Sequence, residues 1–498
     1  MTVGGLPLLT SILLCPVIGL GLIVLIPGGA ARAVRWVSLL SALAATVMSI
    51  QLWRGYDAVT GGLQFVERLP WVEAVGISYH LGVDGFGTIL VMLNSIVYLT
   101  GVLTMWDLTE RVKGFFGFML LLVVGVYGVF MAQDLFFFFF FYEVAVVPMY
   151  PLILIWGSGN RDYAAMKLML FLLAGSALLF PALLAIYHSA GLGTFDMVLL
   201  SQHRFDTDVQ IVLYPLIYLG FGVLAGMFPV HGWSPTGHVA APSAVSMLHA
   251  GVLMKLGAFG ILSVGIRLLP QGAAHWAPTF TVLAAIGIVY GAFVAIRQTD
   301  FKFVIGFSSV SHMGIVLLGL NLAALGQAGE DALNGAVFQM FAHGIMTALF
   351  FSTVGFIYDR AHSKTIADFG GLGAQMPRAV SIFIVAGLCG AGLPGLASFW
   401  AELLVFLAAL KTYPLVGGVV IFGLVLTAVY ILRVFRDAFF GEANPRWQSL
   451  VGLDMAGWQL LPRAILVAVL LFFGFFPRFL LDVIDSTTTS VLARFWMQ

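Results

Sequence analysis

The chain has 498 residues, 61% hydrophobic and 9% charged, with no formal net charge and a mean hydropathy of +1.03. A soluble domain carries roughly a quarter charged residues, so a water-soluble globule is excluded. Charge neutrality offers nothing to nucleic acid, and the composition assigns the chain to the lipid bilayer.

A helix crossing the bilayer needs about 20 mostly apolar residues. In chain order the sequence predicts fourteen, near residues 7–27, 36–53, 83–104, 114–132, 134–156, 162–188, 209–228, 239–266, 279–297, 302–322, 332–357, 377–410, 415–438 and 460–480. No basic stretch precedes the first, so a cleavable signal is not expected. Strands are not expected either, because the runs lack the alternation of a barrel strand and an open sheet cannot satisfy its backbone in lipid.

Loops after odd-numbered helices carry thirteen Lys and Arg residues, from Arg32 to Arg446, against seven on the opposite side. By the positive-inside rule both termini face away from the cytoplasm; the expected membrane, not fixed by this count, is the bacterial inner membrane. Residues 54–82 form the longest outer loop, with the amphipathic "WVEAVGISYHLGVDG"; residues 358–378 and 439–459 are the larger inner loops.

Two helices are broken in the sequence. "GMFPVHGWSPTGHVAAPSAV" (226–245) holds three prolines, and "LCGAGLPGLASFWAELL" (388–404) holds Gly-Leu-Pro-Gly inside an apolar run. They fall in the seventh and twelfth helices, five apart. Interruptions at corresponding positions mark inverted repeats whose exposed backbone lines an ion path. The expected fold is therefore an all-α polytopic membrane protein with two inverted five-helix repeats. Residues 1–113 hold helices 1–3, 114–268 the first repeat (helices 4–8), 279–438 the second (helices 9–13), and 439–498 an inner loop, helix 14 and a short tail.

Ionisable residues at membrane depth cost about 2.5–3.5 kcal/mol each on insertion scales and are functional candidates by default. Here they are Glu143, Lys167, His249, Lys255, His312, His343 and Glu402. Glu143 follows six consecutive phenylalanines, which exclude water around it and serve as lipid-facing or packing surface. Desolvation raises the pKa of a carboxylic acid and lowers that of lysine or histidine, bringing all three types towards neutrality. Such a row suits proton relay better than metal binding. Plainer roles stand beside it. Lys167 is near enough to its helix end to snorkel to the inner surface, and His249 can be a simple interhelical hydrogen bond. A structural salt bridge would account for Glu143, Lys255 or Glu402, and His231 and His238 more simply shape the broken helix. Cys15 and Cys389 read as small core residues, too few for an iron–sulfur cluster or zinc site. The glycines of "GGLGAQM" (370–376) follow no strand and make no dinucleotide fingerprint.

The motifs "YHLGVDG" (79–85), "FYEVAVVPMYPLILIWG" (141–157), "RDYAAMKLMLFLLAGS" (161–176), "FPVHGWSPTGHVAAPSAVS" (228–246), "LAAIGIVYGAFVAIRQTDFK" (283–302), "SSVSHMGIVLLGL" (308–320) and "YDRAHSKTIADFGGL" (358–372) occur in order. In them the chain resembles the antiporter-like membrane subunits of respiratory complex I, the proton-pumping NADH:quinone oxidoreductase, and the M type most closely. The resemblance implies that Glu143 is the fifth-helix glutamate, Lys255 the central lysine and Glu402 the terminal glutamate near the outer exit. His312 and His343 lie between, and Lys167 matches a sixth-helix lysine. It also implies partner subunits of the L and N types, and NADH, FMN, iron–sulfur clusters and quinone held by partners, with no cofactor, metal or redox site in this chain. One departure matters: Leu224 stands where the family has the seventh-helix lysine that pairs with Glu143. Gly226 replaces a proline and Thr236 an aspartate. The alternatives are a cation/proton antiporter subunit, a hydrogenase membrane arm, or a spacer that does not pump.

Overall fold

The computed structural model describes residues 2–3, 6–326 and 328–497. Thirteen helices in these segments are long and apolar enough to cross a bilayer. They are Leu8–Leu25 (helix 1), Ala31–Gly55 (2), Gly85–Thr104 (3), Val112–Met131 (4), Leu135–Trp156 (5), Arg161–Ala190 (6), Thr207–Ala225 (7), Ser243–Ile266 (8), Pro270–Arg297 (9), Phe301–Ala324 (10), Gly329–Ala361 (11), Pro414–Phe439 (13) and Gly457–Phe475 (14). The fourteenth crossing, helix 12, consists of two pieces, Pro377–Gly390 and Ala397–Thr412, each too short to span alone. The chain is thus a polytopic, almost wholly helical membrane protein.

Helix starts follow local chemistry. Asp84, Asp134 and Asp300 cap helices 3, 5 and 10 by accepting backbone N–H bonds from the first turn, each worth about 1 kcal/mol. Helices 8 and 11 are enclosed throughout their apolar windows, whereas helices 2, 6 and 14 leave two thirds of theirs facing outward. Enclosure is what lets helices 8 and 11 carry lysine and histidine without presenting them to lipid.

Both predicted breaks are present. Helix 7 stops at Ala225 with Gly226 in the left-handed region at φ 73°. Its second piece is Trp233–Ala240, and the Trp233 indole donates to the Val223 carbonyl at 2.9 Å, tying the two pieces together. Helix 8 consequently starts at Ser243, later than the expected 239, and two π-helical stretches, His249–Leu253 and Ile261–Ile266, flank Met254–Gly260. Helix 5 is interrupted at Val147–Pro148 rather than continuous, because prolines at 148 and 151 remove backbone donors.

Two expectations are corrected. The outer loop contains an antiparallel hairpin, Gln64–Val72 paired with Ile77–Val83. It lies outside the spans, where the lipid argument against strands does not apply. The expected short tail is a 20-residue helix, Arg478–Met497. It crosses the end of the bundle that carries the hairpin: Thr487 accepts the Gly85 N–H at 2.8 Å, and Asn334 donates to Asp485 at 2.9 Å. This end is the hairpin face; the opposite end, with Arg161, Lys302, Arg360 and Arg378, is the basic face.

Candidate functional site

Four of the seven predicted ionisable residues meet in one line through the bundle. Lys255 Nζ lies 2.7 Å from His343 Nδ1. The His343 ring stacks on His312 with centroids 5.3 Å apart and planes 15° from parallel. His312 Nε2 lies 3.4 Å from Glu402 Oε1. All four side chains are buried.

Broken and widened backbone makes this line possible. A π-turn leaves a carbonyl open to extra partners, and Lys255 reaches back to donate to the Ala250 carbonyl in the first π-stretch. The interruption of helix 12 frees the Gly390 carbonyl from the ladder, and His312 Nε2 meets it at 3.1 Å. Beyond the break Gly392 adopts φ +69°, and a Cβ there would stand 2.9 Å from Glu402 Oε2. The glycine therefore makes room for the carboxylate.

The hydrogen bonds restrict where protons sit. The Lys255–His343 contact holds one proton on either nitrogen. His312 Nδ1 faces the Ser308 carbonyl at 2.8 Å, and a carbonyl only accepts. His312 Nε2 faces Gly390 O and Glu402. A proton between His312 and Glu402 can thus reside on the imidazole or on the carboxyl group. Gln339 steadies Glu402 at 3.2 Å, and Tyr430 donates to Ser308 at 2.7 Å. Tyr430 has no signature in the sequence, where it is one tyrosine in an apolar helix. His343 Nε2 and Glu402 Oε2 have no hydrogen-bond partner among the described residues.

The other three candidates stand apart from this line. His249 packs against Trp233 at 5.0 Å and His238 at 4.3 Å between centroids. Lys167 donates to Thr236 at 3.3 Å and is partly exposed. Glu143 accepts a 2.5 Å hydrogen bond from Ser176, a partner the sequence does not reveal, and forms no ion pair among the described residues. Leu224 is fully buried. The phenylalanine run divides, with Phe137, Phe138 and Phe141 inside and Phe136 and Phe140 outside.

A buried line of titratable groups running from the π-distorted helix 8 to the interrupted helix 12, inside an almost wholly helical bundle, fits a proton-conducting membrane subunit of the antiporter-like class. The family profile described as "NADH:quinone oxidoreductase/Mrp antiporter, TM" matches residues 132–428, and the chain belongs to this family. It is 36% identical over 504 residues to NAD(P)H-quinone oxidoreductase chain 4 1 of Synechococcus elongatus, covering 99% of this chain and 93% of that one. A Picosynechococcus chain 4 3 is 37% identical over 443 residues, covering 87% and 80%. Among solved structures, respiratory complex I from Thermus thermophilus with bound NADH aligns with a TM-score of 0.87 and 26% identity, covering 97% of this chain and 99% of that one. The Mrp complex from Dietzia sp. shares the fold at a TM-score of 0.79 and 22% identity, covering 98% and 96%. The chain is an antiporter-like membrane subunit of the complex I type, a partner of other membrane-arm subunits and part of the enzyme that they form.

Proposed function

We propose that this subunit moves protons along Lys255, His343, His312 and Glu402, driven by quinone reduction elsewhere in the complex. The observation that carries the reading is the direct Lys255–His343 contact, followed by the stacked His312 and its contact with Glu402. A proton on Lys255 passes to His343 Nδ1. The His343 Nε2 edge, left open, hands a proton through bridging water to His312. His312 Nε2 passes it to Glu402, from which it leaves towards the hairpin face. NADH, flavin, iron–sulfur clusters and quinone belong to partner subunits in this reading. The basic face is cytoplasmic, both termini lie on the other side, and the membrane is the bacterial inner membrane. In this reading the two inverted halves, helices 4–8 and 9–13, place the broken helices 7 and 12 at corresponding positions. Glu143, which forms no ion pair among the described residues, is a secondary acid; Lys167 and His249 flank the route.

Replacing Lys255 with Met in the assembled complex, in sealed vesicles, tests this. The proton-to-electron ratio falls while quinone reduction continues in the presence of an uncoupler. An unchanged ratio contradicts the reading. A gene neighbourhood of small antiporter subunits without redox subunits would favour the antiporter alternative instead.

A further inference from the structure

At the basic face a cavity of about 590 Å³ opens between the ends of helices 3, 5, 8, 11 and 14. Asp107, Glu110, Arg161, Ser243, Asp359 and Arg463 are among its lining residues. Asp359 lies in the field of Lys302, Arg360, Arg463 and His362, yet forms no ion pair within 4.0 Å among the described residues. Arg463 is almost completely buried and donates to the Ser352 carbonyl at 2.6 Å, and its Nε has no partner among the described residues. Burying the Arg463 guanidinium there is costly, and the route from Lys255 to Glu402 does not use it.

Inward from the cavity the polar groups continue. Lys302 is buried and donates to the Ala241 carbonyl at 2.9 Å, in the break between helices 7 and 8. The Ser246 hydroxyl reaches the same carbonyl at 3.3 Å and the His238 carbonyl at 2.9 Å. The ring of His238 sits 4.3 Å from that of His249. His238 Nδ1 and both nitrogens of His249 are buried without partners among the described residues. Six residues after His249 stands Lys255. Unpartnered buried nitrogens are rare unless water or a transferring proton serves them.

We infer that this cavity is the proton intake of the subunit, with Asp359 as collecting carboxylate and Lys302 as first relay. The inference rests on Lys255 being the pumping lysine. A proton from cavity water binds the Asp359 carboxylate. Lys302 passes its ammonium proton inward to His238 and is reprotonated from Asp359. His238 and His249 deliver a proton to the Lys255 amine, and each group returns to its starting charge.

The test uses the assembled complex in sealed vesicles. Asp359→Asn lowers the proton-to-electron ratio by the same amount as Lys255→Met, and Asp359→Glu restores it. A small permeant weak acid such as azide partly restores Asp359→Asn but leaves Lys255→Met unrestored. A wild-type ratio in Asp359→Asn alongside a lowered ratio in Lys255→Met overturns the intake alone; a wild-type ratio in Lys255→Met overturns the reading beneath it. If Asp359→Asn does not assemble, Ser243→Cys decides the matter. Labelling it from the basic face with a bulky membrane-impermeant thiol reagent lowers the ratio if the cavity is the intake. Labelling that leaves the ratio unchanged, or failure to label from that face, overturns it.

Discussion

Lys255 and His343 face each other across helices 8 and 11 at 2.7 Å, and two glycines set that approach. A Cβ on Gly344 would lie 2.6 Å from the Gly251 carbonyl, and one on Gly251 3.0 Å from the Gly344 carbonyl. The backbones touch at the level of the lysine because neither residue has a side chain.

Gly344→Ala therefore forces the two helices apart. Overpacking of this kind costs about 1–3 kcal/mol. The expected result is a complex that assembles in reduced amount and pumps fewer protons per electron. Proton uptake in vesicles, normalised to the amount of assembled complex, measures it.

Gly392→Ala acts at the other end of the line. The residue sits at φ +69°, and an L side chain in the left-handed region costs roughly 1–2 kcal/mol. The added methyl also meets Glu402 Oε2. Slower proton translocation with intact quinone reduction in uncoupled membranes is expected, and paired rate measurements on the variant check it.

Glu143 and Leu224 supply a third prediction. A lysine at the fully buried position 224 is an uncompensated charge unless Glu143 pairs with it, and breaking a buried pair costs about 3–5 kcal/mol. Leu224→Lys assembles with Glu143 present, and the double variant with Glu143→Gln does not. Immunodetection of the subunit in native gels separates the two outcomes.

The docking of the hairpin depends on pH through Asp196. Burial raises its carboxyl, but the His80 hydrogen bond, the Leu199 N–H and the Arg68 charge outweigh that and hold it below the ordinary 3.8. His80 lies 3.2 Å and Arg68 2.9 Å from Asp196. A carboxylate with a lowered folded-state pKa stabilises above its unfolded value, and the stabilisation is lost as pH falls through the folded one. Hydrogen exchange in residues 64–83 should accelerate, after correction for intrinsic rates, below about pH 4, and in Asp196→Asn this step should be absent.

The helix count, both breaks and the buried acids and bases are legible in the sequence, because long apolar runs with charges inside them are rare outside membrane bundles that carry ions. Which of those groups touch is not legible. Lys255, His343, His312 and Glu402 come from four helices, and only packing aligns them. The π-stretches around Lys255 stay hidden because helical periodicity does not distinguish a widened turn. Ser176, Tyr430, Lys302 and Asp359 do not stand out, since hydroxyls are common in membrane helices and charges near span ends read as snorkelling. The hairpin's alternation is submerged in a loop that also carries Gly, Pro and charge.

Relay along this line requires Glu402 to gain and lose a proton during turnover. Infrared difference spectroscopy of the working complex detects that event in the C=O stretch of a protonated carboxylic acid. A band that appears on turnover, shifts in Glu402→Asp and vanishes in Glu402→Gln is expected. A difference spectrum in which that band is absent, or is unaltered by either substitution, would contradict proton transfer through Glu402.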